Sequence, residues 1–333
     1  MNNVIKYYRS PDPELWKGRL SNPSSLNQYW HEVIKFYYDG LEHLKSERLN
    51  SDFGILGYAC DEGVKRNNGR QGAVNGPKAI REQLSKLSAH FSEKTVTDYG
   101  DIVAYENNIE LAQKLFSNVI QEIIKSGQLS IGIGGSHDLA YGHFCGIHKA
   151  LPKVKSNKIG ILNFDAHFDL RPTINKANSG TPFYQIMKEF GTNVEYLALG
   201  IQKKSNSNSL YKIASEFGVN HIPAEDCTLV NLNNVINIID NNFKECNYLY
   251  VSIDLDGFTS EYAPGVSAPS PFGFSVNFFR SVFEHVLKTK NVVAIDIVEL
   301  NPVYDIDSIT AKLAAEIIAL VIAFSLSPIN YPL

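Results

Sequence analysis

At 333 residues, 44% of them hydrophobic, the chain has material for a large core, and 35 acidic against 31 basic side chains leave a net charge of -4. That balance gives neither the basic footprint of a nucleic-acid binder nor a polyacidic tail, so a small-molecule substrate is the default partner. Residues 1–9 contain no apolar stretch long enough for a signal peptide, and the longest late apolar run, 317–324, is far too short to span a bilayer, so a cytoplasmic protein without membrane contact is expected.

Leu26, Trp30, Val33, Ile34, Tyr37, Leu41 and Leu44 recur at helical spacing after serines at 24 and 25 that can cap, predicting an aromatic amphipathic helix in an N-terminal extension of about residues 1–50. Phe53–Ala59 reads as the first strand, and 61–77 as a glycine- and asparagine-rich loop leading into a helix around 78–87. Ile109–Lys125 follows as a helix, then come apolar, β-branched strands at 129–133, Ile159–Phe164 and 248–253, with shorter ones at 196–200, 221–223 and Val292–Val298. The stretch 203–209 is a polar surface loop. Leu232, Val235, Ile236, Ile239 and Phe243 make another helical stripe, and Thr310 can cap a long final helix.

Alternating strands and helices predict an α/β protein with a mostly parallel central sheet, although alternation alone leaves a closed TIM barrel open as the alternative. The segments richest in chemistry run from residue 137 to residue 256 with no Pro/Ser-rich linker between them, so one domain over 1–333 is expected. Cys60, Cys145, Cys227 and Cys246 form no Cys-x-x-Cys pair and read as free thiols, with Cys60 close enough to a strand end to line a pocket. Residues 132–137 resemble a dinucleotide fingerprint in three glycines, but histidine stands where the last glycine should open the helix, so no nicotinamide or flavin is implied. Ser136 beside His137 makes no nucleophile elbow, because neighbours on an extended chain point apart.

Three segments follow apolar strands: Gly135-Ser136-His137-Asp138, Asp165-Ala166-His167-Phe168-Asp169 and Asp254-Leu255-Asp256. Singly each has a plain reading, as a loop histidine, a turn or a helix cap. Together they bring two imidazoles and four carboxylates to strand ends, where open α/β sheets bind ligands, and such a set would be costly to bury without a paired divalent metal centre. On an extended chain Asp165, His167 and Asp169 would share one side, as would Asp254 and Asp256.

These segments resemble the metal motifs of the ureohydrolases, the binuclear manganese family that includes arginase, agmatinase and formimidoylglutamase. The resemblance implies a three-layer α/β/α fold, homo-oligomers and two Mn²⁺ per subunit, one held by His137, Asp165, Asp169 and Asp254 and the other by Asp165, His167, Asp254 and Asp256. It also gives Glu299, in Val298-Glu299-Leu300-Asn301-Pro302, the role of binding the cationic end of the substrate, and Asp169 that of proton carrier. Loops at 61–70, 179–183 and 263–269 are similar to those of formimidoylglutamases, and Phe183 stands where arginases carry a histidine. The implied reaction is cleavage of N-formimidoyl-L-glutamate to L-glutamate and formamide in histidine degradation, with urea release from agmatine, guanidinobutyrate or arginine as the alternative. Two-metal phosphoester hydrolysis fits less well, since Glu299 would repel an anionic substrate. Arg66, Asn67 and Arg70 are candidates to bind the substrate carboxylates, or else belong to an exposed basic loop.

Overall fold

The computed structural model describes residues 5–22, 29–41, 43–44, 51–91, 93–152, 158–174 and 176–325. Ten strands form one sheet: β1 (Tyr8–Arg9), β2 (Lys35–Phe36), β3 (Phe53–Ala59), β4 (Val96–Val103), β5 (Leu129–Gly134), β6 (Ile159–Phe164), β7 (Val194–Ile201), β8 (Asn220–Pro223), β9 (Tyr248–Asp254) and β10 (Val292–Val298). Their order is β1-β4-β3-β5-β10-β9-β6-β7-β8, with β2 also on β4, and every pairing but β1 with β4 is parallel. The path has two ends, so the sheet is open and the barrel alternative is excluded.

Helices cover both faces, as parallel strands joined by crossovers require. They are α1 (Trp30–Val33), α2 (Glu62–Arg66), α3 (Gly76–Leu84), α4 (Ile109–Lys125), α5 (Leu139–Ala150), α6 (Pro182–Phe190), α7 (Asn208–Glu216), α8 (Leu232–Asn242), α9 (Val276–Thr289) and α10 (Ile309–Phe324). Strand alternation divides the core. Leu249, Val251 and Ile253 of β9 and Ile295 and Ile297 of β10 join one apolar cluster with α3, α8, α9 and α10. Tyr250 of β9 and Val293, Ala294 and Val298 of β10 join the other with α4, α5 and α6. With both faces covered, the strands carry apolar residues on both sides, and burial is worth about 1.5–3 kcal/mol for each large aliphatic chain.

The expected N-terminal helix is the main correction. Among the described residues the helical part is the single turn α1, after which Ile34 is extended and β2 pairs with Thr97 and Asp98 of β4. An uncovered β4 edge would present unpaired backbone groups, and that demand outweighs the helical spacing. Trp30, Tyr37 and Leu44 are buried all the same. The residues at 24–26 lie outside the described residues. This edge is fastened by Arg81, fully buried, which donates to both oxygens of Asp98 at 2.8 Å, while the Trp16 indole donates to Asp98 Oδ2 at 2.9 Å. The cap of α10 also differs from expectation. Asp305 accepts from the Thr310 and Ala311 amides, and the Thr310 hydroxyl is spent accepting from Gly265 N.

Candidate metal centre

The strands that precede the candidate ligands are β5, β10, β9 and β6, four neighbours in the middle of the sheet. Register puts their carboxyl ends at one level, since Ile297 pairs with Ile133, Val298 with Asp254, and Ile253 with Phe164. His137, Asp165, Asp254 and Glu299 therefore leave the sheet side by side.

Two groups of ligand atoms result, each within 4.8 Å: His137, Asp165, Asp169 and Asp254, and then Asp165, His167 and Asp256. His137 Nδ1 lies 3.3 Å from Asp165, 3.0 Å from Asp169 and 3.0 Å from Asp254. His167 Nδ1 is 3.1 Å from Asp256 and 3.5 Å from Asp165. The structure thus shares Asp165 between the groups, whereas Asp254 falls in the first alone.

The side chains converge by a different route from the extended prongs expected. The chain bends after β6, with the His167 amide donating to Asp165 Oδ1 at 2.7 Å and Asp169 in the left-handed region at φ 48°. Asp254 likewise accepts from the Asp256 amide at 2.8 Å and caps a short 3-10 turn, so the turn-and-cap reading and the ligand reading describe the same residues. Glu299 is also left-handed, at φ 66°, which turns its carboxylate back to accept the His137 amide at 2.8 Å while its own amide donates to Gly135 O. For residues other than glycine such backbone costs about 1–3 kcal/mol each and survives where the surroundings enforce it.

Electrostatics show the strain of crowding five carboxylates with two imidazoles. Burial pulls His137 and His167 down, yet the surrounding aspartates hold both well above the ordinary histidine value. Burial favours a neutral Asp165, but the two imidazoles hold it below the usual carboxylate range. Burial and then neighbouring carboxylates push Asp169 and Asp254 up, and burial raises Asp256 against the pull of His167. Burial lifts Glu299 to about 8. Positive charge at the centre of these groups would offset the rise at Asp169, Asp254, Asp256 and Glu299, and would take the place of the protons on the two imidazoles. The fit to cations is specific in one further respect: among the described residues His137 Nδ1 is buried with no hydrogen-bond partner, although it faces three carboxylates. An oxygen-rich set with two imidazoles and no thiolate suits hard or borderline divalent ions.

Above the cluster opens a cavity of about 320 Å³. Its floor is His167, Asp169, Asp254, Asp256 and Glu299, and its wall includes Asn67, Arg70, Arg171, Ser179 and Ser267. Of the loop residues expected to reach a ligand, Asn67 and Arg70 line this cavity and Arg66 lines a neighbouring one. Arg66 is committed to Glu62, Glu110, Asn107 O and Ala177 O. The Arg70 guanidinium donates to Ser267 O and Val266 O and lies 3.9 Å from the centre of the Tyr304 ring. Asn67 donates to Ser179 Oγ at 2.9 Å. Arg171, which sequence reasoning passed over, is exposed, lines both cavities and has no side-chain partner among the described residues. Its signal was its place two residues after Asp169. Phe183 lies outside the cavity, fully buried with its ring 5.3 Å from that of His137. Cys60 does not line it either, and burial pushes its thiol up, away from the reactive thiolate form.

Residues 51–323 match the sequence profile of the arginase family. The formimidoylglutamase of Geobacillus sp. (strain WCH70) is 36% identical over 310 residues, which cover 92% of this chain and 94% of that protein. That of Clostridium tetani is 34% identical over 322 residues, 95% of each. Among solved structures, formimidoylglutamase from Bacillus subtilis superposes with a TM-score of 0.78 at 20% identity, covering 91% of this chain and 95% of that one. Trypanosoma cruzi formiminoglutamase, determined with Mn²⁺, gives 0.72 at 24% identity, covering 85% and 96%. The profile match runs from β3 into α10, leaving only β1 and β2 of the sheet outside it and taking in every ligand segment, and the chain belongs to the arginase family.

Proposed function

We propose that this protein hydrolyses N-formimidoyl-L-glutamate to L-glutamate and formamide with two Mn²⁺ per subunit. The observation that carries the reading is the cavity, which joins an acidic floor ending in Glu299 to a rim bearing the uncommitted guanidinium of Arg171. A substrate with a cationic amidine at one end and carboxylates at the other matches both ends. The names of the relatives, aligned over nearly the full chain, support the same substrate.

His137, Asp165, Asp169 and Asp254 would hold one cation, and Asp165, His167, Asp254 and Asp256 the other. Cations held there would supply a water acidified enough to react as hydroxide near neutral pH. Glu299 holds the protonated nitrogen of the amidine and fixes the formimidoyl carbon over the acidic floor. Asp169 takes the proton lost by the water whose oxygen bonds to that carbon, and passes it to the glutamate nitrogen as the carbon–nitrogen bond breaks. Arg171 forks onto a carboxylate, with Asn67 and Arg70 completing the wall. The same reading makes the chain one domain of a cytoplasmic homo-oligomer. Four free cysteines suit a reducing compartment, and exposed Val303, Ile306 and Ile309 offer apolar surface to another subunit.

The test is product analysis. Mn²⁺-loaded protein incubated separately with formimidoylglutamate, agmatine and arginine should release formamide and glutamate from the first. Urea from either of the others, with no formamide, would overturn the assignment.

A further inference from the structure

Beneath the candidate metal centre, between the sheet and α5, lies a second set of polar groups that the proposed reaction does not use. Ser130, His143, Tyr250, Ser252 and Asp296 are all fully buried. Asp296 interrupts the apolar run of β10, an expensive position for a carboxylate unless donors surround it. Three do. Ser252 Oγ donates to Asp296 Oδ1 at 2.6 Å, the Tyr250 hydroxyl donates to Oδ2, and His143 Nδ1 lies 3.0 Å from Oδ2, its other nitrogen 2.9 Å from Ser130 Oγ. The chain of contacts does not stop there: His137 Nε2 lies 2.9 Å from the same Ser252 oxygen.

Hydrogen-bond accounting gives this chain a direction. A serine hydroxyl has one proton, and Ser252 spends it on Asp296, so toward His137 its oxygen can only accept. His137 Nε2 must then carry the hydrogen. In the neutral imidazole that leaves the lone pair on Nδ1, the atom that faces Asp165, Asp169 and Asp254 and has no partner of its own. We infer that Asp296, acting through Ser252, is a positioning device that fixes the tautomer and ring orientation of His137, so that Nδ1 is presented to a divalent cation. Ligating histidines owe much of their affinity to such outer partners, whose loss costs about 10- to 100-fold in metal binding. Tyr250 and His143 keep Asp296 an acceptor, and the network reaches the first ligand group while leaving His167 untouched.

This inference rests on the reading of the cluster as a metal site, and Mn²⁺ titration by calorimetry and electron paramagnetic resonance separates the two. Wild-type protein should show two binding classes, and His167→Ala, which removes a ligand of the other group, tells them apart. Ser252→Ala is expected to weaken only the class that depends on His137, by about 10- to 100-fold, and Ser252→Thr, which keeps the hydroxyl, to restore it. Should the alanine variant fail to fold, Ser252→Cys keeps the volume with a poor acceptor and is expected to weaken the same class. Binding unchanged in the folded variants, or both classes weakened alike, overturns the positioning role and leaves the metal reading standing. A wild-type protein that binds no Mn²⁺ overturns both.

Discussion

Replacing Glu299 by glutamine isolates what its charge does. One carboxylate oxygen is already taken, since Oε1 accepts the His137 amide at 2.8 Å, and glutamine can keep that bond with its carbonyl oxygen. The other oxygen belongs to the cavity floor, where the variant would present an amide that donates instead of accepting. A hydrogen bond to a charged group is worth about 1.5–3 kcal/mol. At 1.4 kcal/mol per tenfold, kcat/KM for formimidoylglutamate should therefore fall by roughly 10- to 150-fold. Much of the loss should appear in KM, because the amidine is cationic before it reacts. The assay is formamide release by Mn²⁺-loaded protein, with calorimetric Mn²⁺ affinity and melting temperature as controls. Neither control should drop, since Glu299 is in neither ligand group and burial already disfavours its charge. A loss of kcat/KM under about threefold would refute the idea that this carboxylate grips the cationic end of the substrate.

Asp169→Asn should abolish turnover while the protein still folds, and measurable wild-type kcat in that variant would remove Asp169 as proton carrier. Arg171→Ala should raise KM for formimidoylglutamate about tenfold or more with little change in kcat, an outcome read from steady-state kinetics; unchanged KM would move carboxylate binding elsewhere. Metal-free protein should be inactive and regain activity with Mn²⁺, and its melting temperature should fall as pH rises from about 6 to about 8.5. The sign follows from proton binding: Glu299, at about 8, and His137 and His167, above their ordinary value, hold protons more tightly folded than unfolded, so their stabilisation is present at lower pH and lost as pH climbs. Asp165, held low, acts with the opposite sign and only in acid. Mn²⁺ should flatten the curve, and a metal-free melting temperature that rises over this range would contradict the crowding described above.

Most of the sheet was legible because its strands are apolar β-branched runs that end abruptly in polar residues, as at Phe164-Asp165 and Ile253-Asp254. The ligands were legible for the same reason, since carboxylates and imidazoles at those boundaries have few other uses. What periodicity could not reveal was the N-terminal segment, where aromatic residues at helical spacing are buried one at a time by a chain that turns to cover β4. Nor could sequence tell Arg66 from Arg171: both come a few residues after a strand end, and only the placement of Glu62 and Glu110 shows that the first is already spent. Asp296 did leave a trace, a lone carboxylate inside Val292–Val298, but its partners lie on β9 and α5 and could be found only by folding the chain.

The last strand to be synthesised, β10, is not added to an edge but wedged between β5 and β9. Until it slots in, the strand ends bearing His137 and Asp254 have no fixed separation, and Glu299 is not yet beside them. A nascent or truncated chain lacking β10 can still pair β9 with β6 and so keep Asp165, His167 and Asp256 together, but it has no fixed place for His137, so the first ligand group is complete only once β10 is in.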